Sequence, residues 1–203
     1  MSTAAKPATK PWDARLAAVL VRPLRDTPVS PNVLTTIRLA VGSYGAYLFA
    51  VGATPNFAAL IVVLSNFLDH TDGELARMSG KTSLFGHRYD LLSDACVTIG
   101  LFVCIGWGLQ HSLGPAAVGM GLAAGLAVAG IFHLRNLLEN AHGKMATVQP
   151  RFGGFEVEDI LYLLPLVTLS GGLSWFLKAA ALGAPLAFLI VFGHFVALRR
   201  RPV

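Results

Sequence analysis

Six long apolar segments constrain this chain more than anything else in it: about Asn32 to Val51, Phe57 to Arg77, Phe85 to Leu109, Gly114 to Asn140, Phe155 to Ser170 and Leu173 to Arg199. A helix needs about 20 apolar residues to cross a hydrocarbon core of roughly 30 Å, and only the fifth segment is short of that. With 54% of its 203 residues hydrophobic and 13% charged, the chain has far too little polar surface for a water-soluble domain. The expected architecture is therefore an all-α integral membrane bundle of six transmembrane helices.

Two regions are expected, an N-terminal tail over residues 1–30 and a six-helix membrane domain over residues 31–203, with no soluble second domain. The tail is polar, Pro-rich and basic, and it lacks an apolar core followed by a small-residue cleavage site, so no removable signal peptide is expected. Within it Asp13 to Arg25, DARLAAVLVRPLR, mixes apolar and basic positions and reads as a short amphipathic juxtamembrane segment on the membrane surface. Lys and Arg accumulate in cytoplasmic loops. With both termini cytoplasmic, six crossings put every basic residue except Lys178 on or near the inner side. The net charge of +5 thus reflects topology; no basic patch interleaved with aromatics suggests nucleic acid. Cys96 and Cys104 read as small apolar packing residues.

The chemistry gathers between Asp69 and Asp94, in DHTDGELARMSGKTSLFGHRYDLLSD. Asp69 and Asp72 are three apart at the inner end of the second span; Asp90 and Asp94 are four apart at the start of the third. Each pair shares one helical face. Gly73, Gly80 and Gly86 loosen the connection that would turn the two acidic faces together. Four carboxylates near a bilayer repel one another and are costly to desolvate, and a cation is the natural counterweight. An all-oxygen set suits Mg²⁺, Mn²⁺ or Ca²⁺ rather than zinc. His70 and His87 flank the cluster but are not needed as ligands, and Glu74 is assigned to the helix surface.

At these residues the chain resembles the CDP-alcohol phosphotransferase family. Its signature, DxxDGxxAR, eight residues, then GxxxDxxxD, is met at Asp69, Asp72, Gly73, Ala76, Arg77, Gly86, Asp90 and Asp94. Each position matches by chance about one time in twenty, so coincidence is negligible. PNVLTTIR, at the start of the first span, is similar to the family's usual opening, and the resemblance covers Pro31 to the C-terminus.

The resemblance implies roles. Asp69, Asp72 and Asp90 would hold a pair of Mg²⁺ or Mn²⁺ ions, and Asp94 would contact the second ion and act as general base on the acceptor hydroxyl. The alcohol would attack the β-phosphorus of a CDP-linked donor, releasing CMP. Gly73 would admit the nucleotide close to the backbone, Ala76 would leave room for it, and Arg77 would offer a forked cation to phosphate oxygens. Ser83 stands at the hydroxyl position near the donor, Gly86 belongs to the signature, and Asn32 to Thr35 would complete the nucleotide pocket. The resemblance also implies an active site near the cytoplasmic face, partnership with membrane lipid, and homodimers.

For the acceptor, Arg135, Asn136, Glu139, Lys144 and Arg151 are the candidate polar residues. Family members that take phosphorylated acceptors commonly have basic residues where this chain reads FEVEDILYL. Glu156, Glu158 and Asp159 there weigh against a glycerol-phosphate or inositol-phosphate acceptor and towards an amine-bearing one, unless they simply complement a helix dipole. CDP-diacylglycerol is the expected donor. Two alternatives stay open: a CDP-choline or CDP-ethanolamine type enzyme acting on a lipid alcohol, and a metal-ion transporter, since intramembrane carboxylates also mark ion pathways.

Overall fold

The structure is a computed structural model that describes residues 12–142 and 161–199, and within these every regular element is a helix. Helix α1 spans Trp12–Val21, α2 Pro31–Ala50, α3 Pro55–Ser79, α4 Leu84–Gly108, the short α5 Gln110–Leu113, α6 Ala116–His142, the short α7 Leu164–Leu169 and α8 Leu173–Arg199. Local chemistry sets the ends that matter here. Ser30 caps α2, its hydroxyl accepting from Asn32 N at 3.3 Å, with Pro31 in the first turn. Gly80, at φ +70°, ends α3 in the left-handed conformation that favours glycine. Ser83 caps α4 by accepting from Gly86 N at 2.9 Å.

Among the described residues, four helices are long and apolar enough to cross a membrane: α2, α4, α6 and α8. The unburied apolar flanks of these helices would be intolerable in water, and the chain is an integral membrane protein. Helix α3 is longer than a span requires, but its second half carries Asp69, Asp72, Glu74 and Arg77, which leaves Phe57–Leu68 as its apolar part. The expected fifth span, Phe155–Ser170, lies partly outside the described residues; its described remainder is a single 3-10 turn, the short α7 and Ser170 in the turn that follows.

Helix α2 packs on α3 and α4, α4 on α6, and α6 on α8, with α1 and α7 against α3. Small residues permit this closeness. A Cβ on Gly42 would stand 2.6 Å from Ser65 Oγ and 2.7 Å from Val97 Cγ1, so α2, α3 and α4 meet around a missing side chain. Polar residues occupy the first half of α2, the second half of α3 and the first half of α4. Because successive helices run in opposite directions, those halves lie side by side. The other halves supply an apolar core of Phe49, Ala58, Ala59, Val62, Leu101, Phe102 and Ile105, joined by Ala117, Ala124, Leu164 and Leu177.

Helix α1 does more than lie on a surface. Asp13, Ala17 and Val21, each four residues from the next, form a stripe buried against α3, while Trp12, Leu16, Val19 and Leu20 remain exposed.

Candidate active site

The antiparallel arrangement brings the acidic end of α3 onto the acidic start of α4. Asp69, Asp90 and Asp94 each offer one oxygen to a group whose atoms lie within 4.8 Å of one another. Asp72 faces a different way: its Oδ2 accepts from Thr35 Oγ1 at 2.5 Å, which ties α3 to the first turn of α2. Like charges this close need a counterion, and the chain provides one that the apolar pattern of the first span obscured. Arg38, on α2, is 5% exposed; its Nη1 lies 3.3 Å from Asp69 Oδ1 and ion-pairs with Asp94 Oδ1. Ser65 on α3 steadies the same turn of α2 by donating to the Arg38 carbonyl at 3.1 Å.

One guanidinium against the three clustered carboxylates leaves them incompletely balanced. Asp90 Oδ1 is buried and has no hydrogen-bond partner among the described residues. An unsatisfied carboxylate oxygen beside two further carboxylates is a donor set for a hard divalent cation, so the residues fit such an ion.

Two cavities meet at this cluster. One, of about 210 Å³, is lined by Asn32, Thr35, Gly73, Ala76, Arg77, Ser83 and Gly86, the seven positions expected to contact substrate, with Asp72, Lys81, Thr82, His87 and Asp90. Its wall is tight at Gly86, where a Cβ would stand 2.9 Å from Asn32 Oδ1 and 3.1 Å from Ser83 Oγ. Lys81 closes the nearby loop by donating to the carbonyls of Thr27 and Val29 at 2.6 and 3.3 Å. The other cavity, of about 270 Å³, contains Asp69, Asp90 and Asp94 together with Arg38, His70, His87, Arg135, Asn136 and Glu139. Among the described residues, only His87 and Asp90 belong to both.

Of the residues expected in the acceptor pocket, Arg135, Asn136 and Glu139 line this second cavity; Lys144 and Arg151, like Glu156, Glu158 and Asp159, lie outside the described residues. Glu74, expected on the helix surface, is instead 2% exposed, and its Oε1 accepts from Arg77 Nη2 at 2.9 Å, so it steadies a cation beside the first cavity. Its place in DGELAR matched a solvated helix end, and nothing in the sequence announced that the face would be covered. Asp13 was also missed: its Oδ2 lies 2.7 Å from His70 Nε2 and receives the Tyr162 hydroxyl at 3.3 Å. Arg38 had a detectable signal, since an ionisable residue inside an apolar span calls for a partner.

Residues 28–192 match the family model described as CDP-alcohol phosphatidyltransferase. The chain is 33% identical over 184 residues to the bifunctional IPC transferase and DIPP synthase of Rubrobacter xylanophilus, a match covering 87% of this chain and 37% of that protein. It is 36% identical over 77 residues to the archaetidylinositol phosphate synthase of Pyrococcus horikoshii, covering 36% of this chain and 40% of that one. The chain thus aligns with well under half the length of either. Among solved structures, the phosphatidylinositol phosphate synthase PgsA1 of Mycobacterium tuberculosis shares the fold at 21% identity. Its form with CDP-DAG bound gives a TM-score of 0.61, covering 87% of this chain and 93% of that one. Its form in complex with manganese and citrate gives 0.57, covering 88% of each.

Proposed function

The chain belongs to the CDP-alcohol phosphatidyltransferase family, and from that membership we propose that it transfers a phosphatidyl group from CDP-diacylglycerol to an alcohol, with release of CMP, in phospholipid synthesis. One observation carries the reading: two cavities meet at Asp90 beside Asp69 and Asp94, the first holding the signature's small and basic residues. A donor phosphate seated there would have its reacting phosphorus beside the carboxylates, and an alcohol in the second cavity would approach from the other side.

Asp69, Asp72, Asp90 and Asp94 would hold Mg²⁺ or Mn²⁺, as two ions, which when bound would neutralise charge on the pyrophosphate. Arg77, steadied by Glu74, would receive phosphate oxygens in bidentate fashion. Gly73 and Ala76 would leave space for the nucleotide, while Asn32, Thr35, Ser83 and Gly86 shape its enclosure. Asp94 would take the proton from the acceptor hydroxyl as the oxygen bonds to the β-phosphorus and the bond to CMP breaks. Leu84 and Phe85, beside Ser83, are strongly exposed, as are Val33 and Ile37 on the neighbouring helix; this apolar rim suits acyl chains and supports a lipid donor.

The acceptor we favour is a polyol phosphate of the inositol-phosphate class, which sets aside the expectation drawn from Glu156, Glu158 and Asp159. Arg135 in the second cavity supports it, as do relatives named for archaetidylinositol phosphate and phosphatidylinositol phosphate. We further place residues 31–203 in one six-crossing domain, with residues 1–30 and both termini on the cytoplasmic side and the site near that face. The distribution of Lys and Arg supports this placement. Assembly as a homodimer is supported by the family resemblance.

The test is CMP release by purified protein given Mg²⁺ or Mn²⁺, CDP-diacylglycerol and a panel of inositol phosphate, glycerol phosphate, serine and ethanolamine. Release with inositol phosphate is expected, stopping on chelation and returning with either metal. Release only with an amine would overturn the acceptor, and no release with any alcohol, alongside metal flux in vesicles, would overturn the enzyme.

A further inference from the structure

The Asp13–His70 pair is built like an instrument for orienting a side chain. Asp13 comes from α1, ahead of the residues matched to the family, yet it is 1% exposed and lines the same cavity as Asp69, Asp90 and Asp94. A carboxylate this buried must be satisfied locally, and it is. Its Oδ1 accepts from Ala14 N at 2.7 Å, and its Oδ2 lies 2.7 Å from His70 Nε2 and takes the Tyr162 hydroxyl at 3.3 Å. Trp12 packs on the Tyr162 ring, centroids 5.6 Å apart.

The consequence falls on His70. With a carboxylate at Nε2, that nitrogen carries the proton, and Nδ1 is left as an acceptor. Nδ1 lies on the side of Asp69, 4.0 Å from its Oδ2, too far for a hydrogen bond between them. The ring is 29% exposed and lines the cavity that holds Asp69, Asp90 and Asp94. Resting on the function proposed above, we propose that His70 binds a hydroxyl of the acceptor alcohol through Nδ1, and that Asp13 is a positioning residue that fixes the ring and its tautomer for that contact. The hydroxyl donates to Nδ1, which selects acceptors bearing a second hydroxyl near the reacting one. A site that pairs with a substrate hydroxyl rejects analogues that lack it.

Steady-state rates of His70→Phe, Asp13→Asn and the double variant test this, with acceptor and donor varied separately and thermal unfolding followed in detergent. The acceptor KM is expected to rise about tenfold in each single variant, the size of one lost polar contact, while the donor KM stays within about twofold. Because Asp13 acts through His70, Asp13→Asn should add little in the His70→Phe background. Asp13→Glu should recover part of the acceptor KM. Unchanged acceptor KM in a variant that melts like the parent overturns the inference, as do equal losses for both substrates or fully additive effects. Parent protein that releases no CMP with any alcohol sinks the proposed function and this inference with it; parent turnover with unaltered variants sinks the inference alone.

Discussion

Arg38 Nη1 on α2 lies 3.3 Å from Asp69 Oδ1 on α3, and the same guanidinium ion-pairs with Asp94 on α4. Three helices are therefore fastened at one buried cation. Removing it leaves carboxylates facing each other without compensation, and breaking a buried pair from one side costs about 3–5 kcal/mol. Arg38→Ala should lower the unfolding temperature in detergent markedly and abolish CMP release, while Arg38→Lys, a point charge without the fork, should recover stability better than activity. An Arg38→Ala protein that melts like the parent would show that the guanidinium does not bridge these helices.

Asp94→Asn preserves the shape of the side chain but removes its capacity to accept a proton. Turnover should fall by about 10²–10⁴-fold, the range for general acid–base catalysis, while CDP-diacylglycerol still binds in the neighbouring cavity. Rapid-quench measurement of CMP alongside equilibrium donor binding separates the two, and near-normal turnover would remove Asp94 from the proton transfer.

At Gly86 the reasoning is steric. A methyl group there would stand 2.9 Å from Asn32 Oδ1, inside the wall that the first turns of α2 and α4 build together. Gly86→Ala should raise the donor KM about tenfold and leave the acceptor KM nearly unchanged, as steady-state titration of each substrate would reveal. Equal effects on both would mean that the wall does not belong to the donor.

Helix positions were largely legible from the chain, because membrane spans depend on length and apolarity alone. The segments expected at Asn32–Val51, Phe85–Leu109 and Leu173–Arg199 correspond to α2, α4 and α8 within a residue or so. The second segment was harder: α3 runs Pro55–Ser79, but its polar second half makes it a helix whose crossing cannot be read from hydropathy. At the site, spacing revealed which carboxylates share a face, whereas partners from other helices were invisible. Asp72 could not be seen to turn towards Thr35, nor Glu74 to be covered, since both depend on side chains thirty or more residues away or on how helices pack. Asp13 was hardest of all. Its neighbours DARLAA suggest a solvated helix start, and only the fold brings His70 and Tyr162 to it.

Among the described residues, the two hollows share only His87 and Asp90. In the reaction proposed above each reactant would have its own hollow, so both could be resident before any bond changes hands, and the transferred group would not need to be parked on the polypeptide. Such an architecture favours a single direct displacement through a ternary complex over a relay by way of an acylated or phosphorylated side chain.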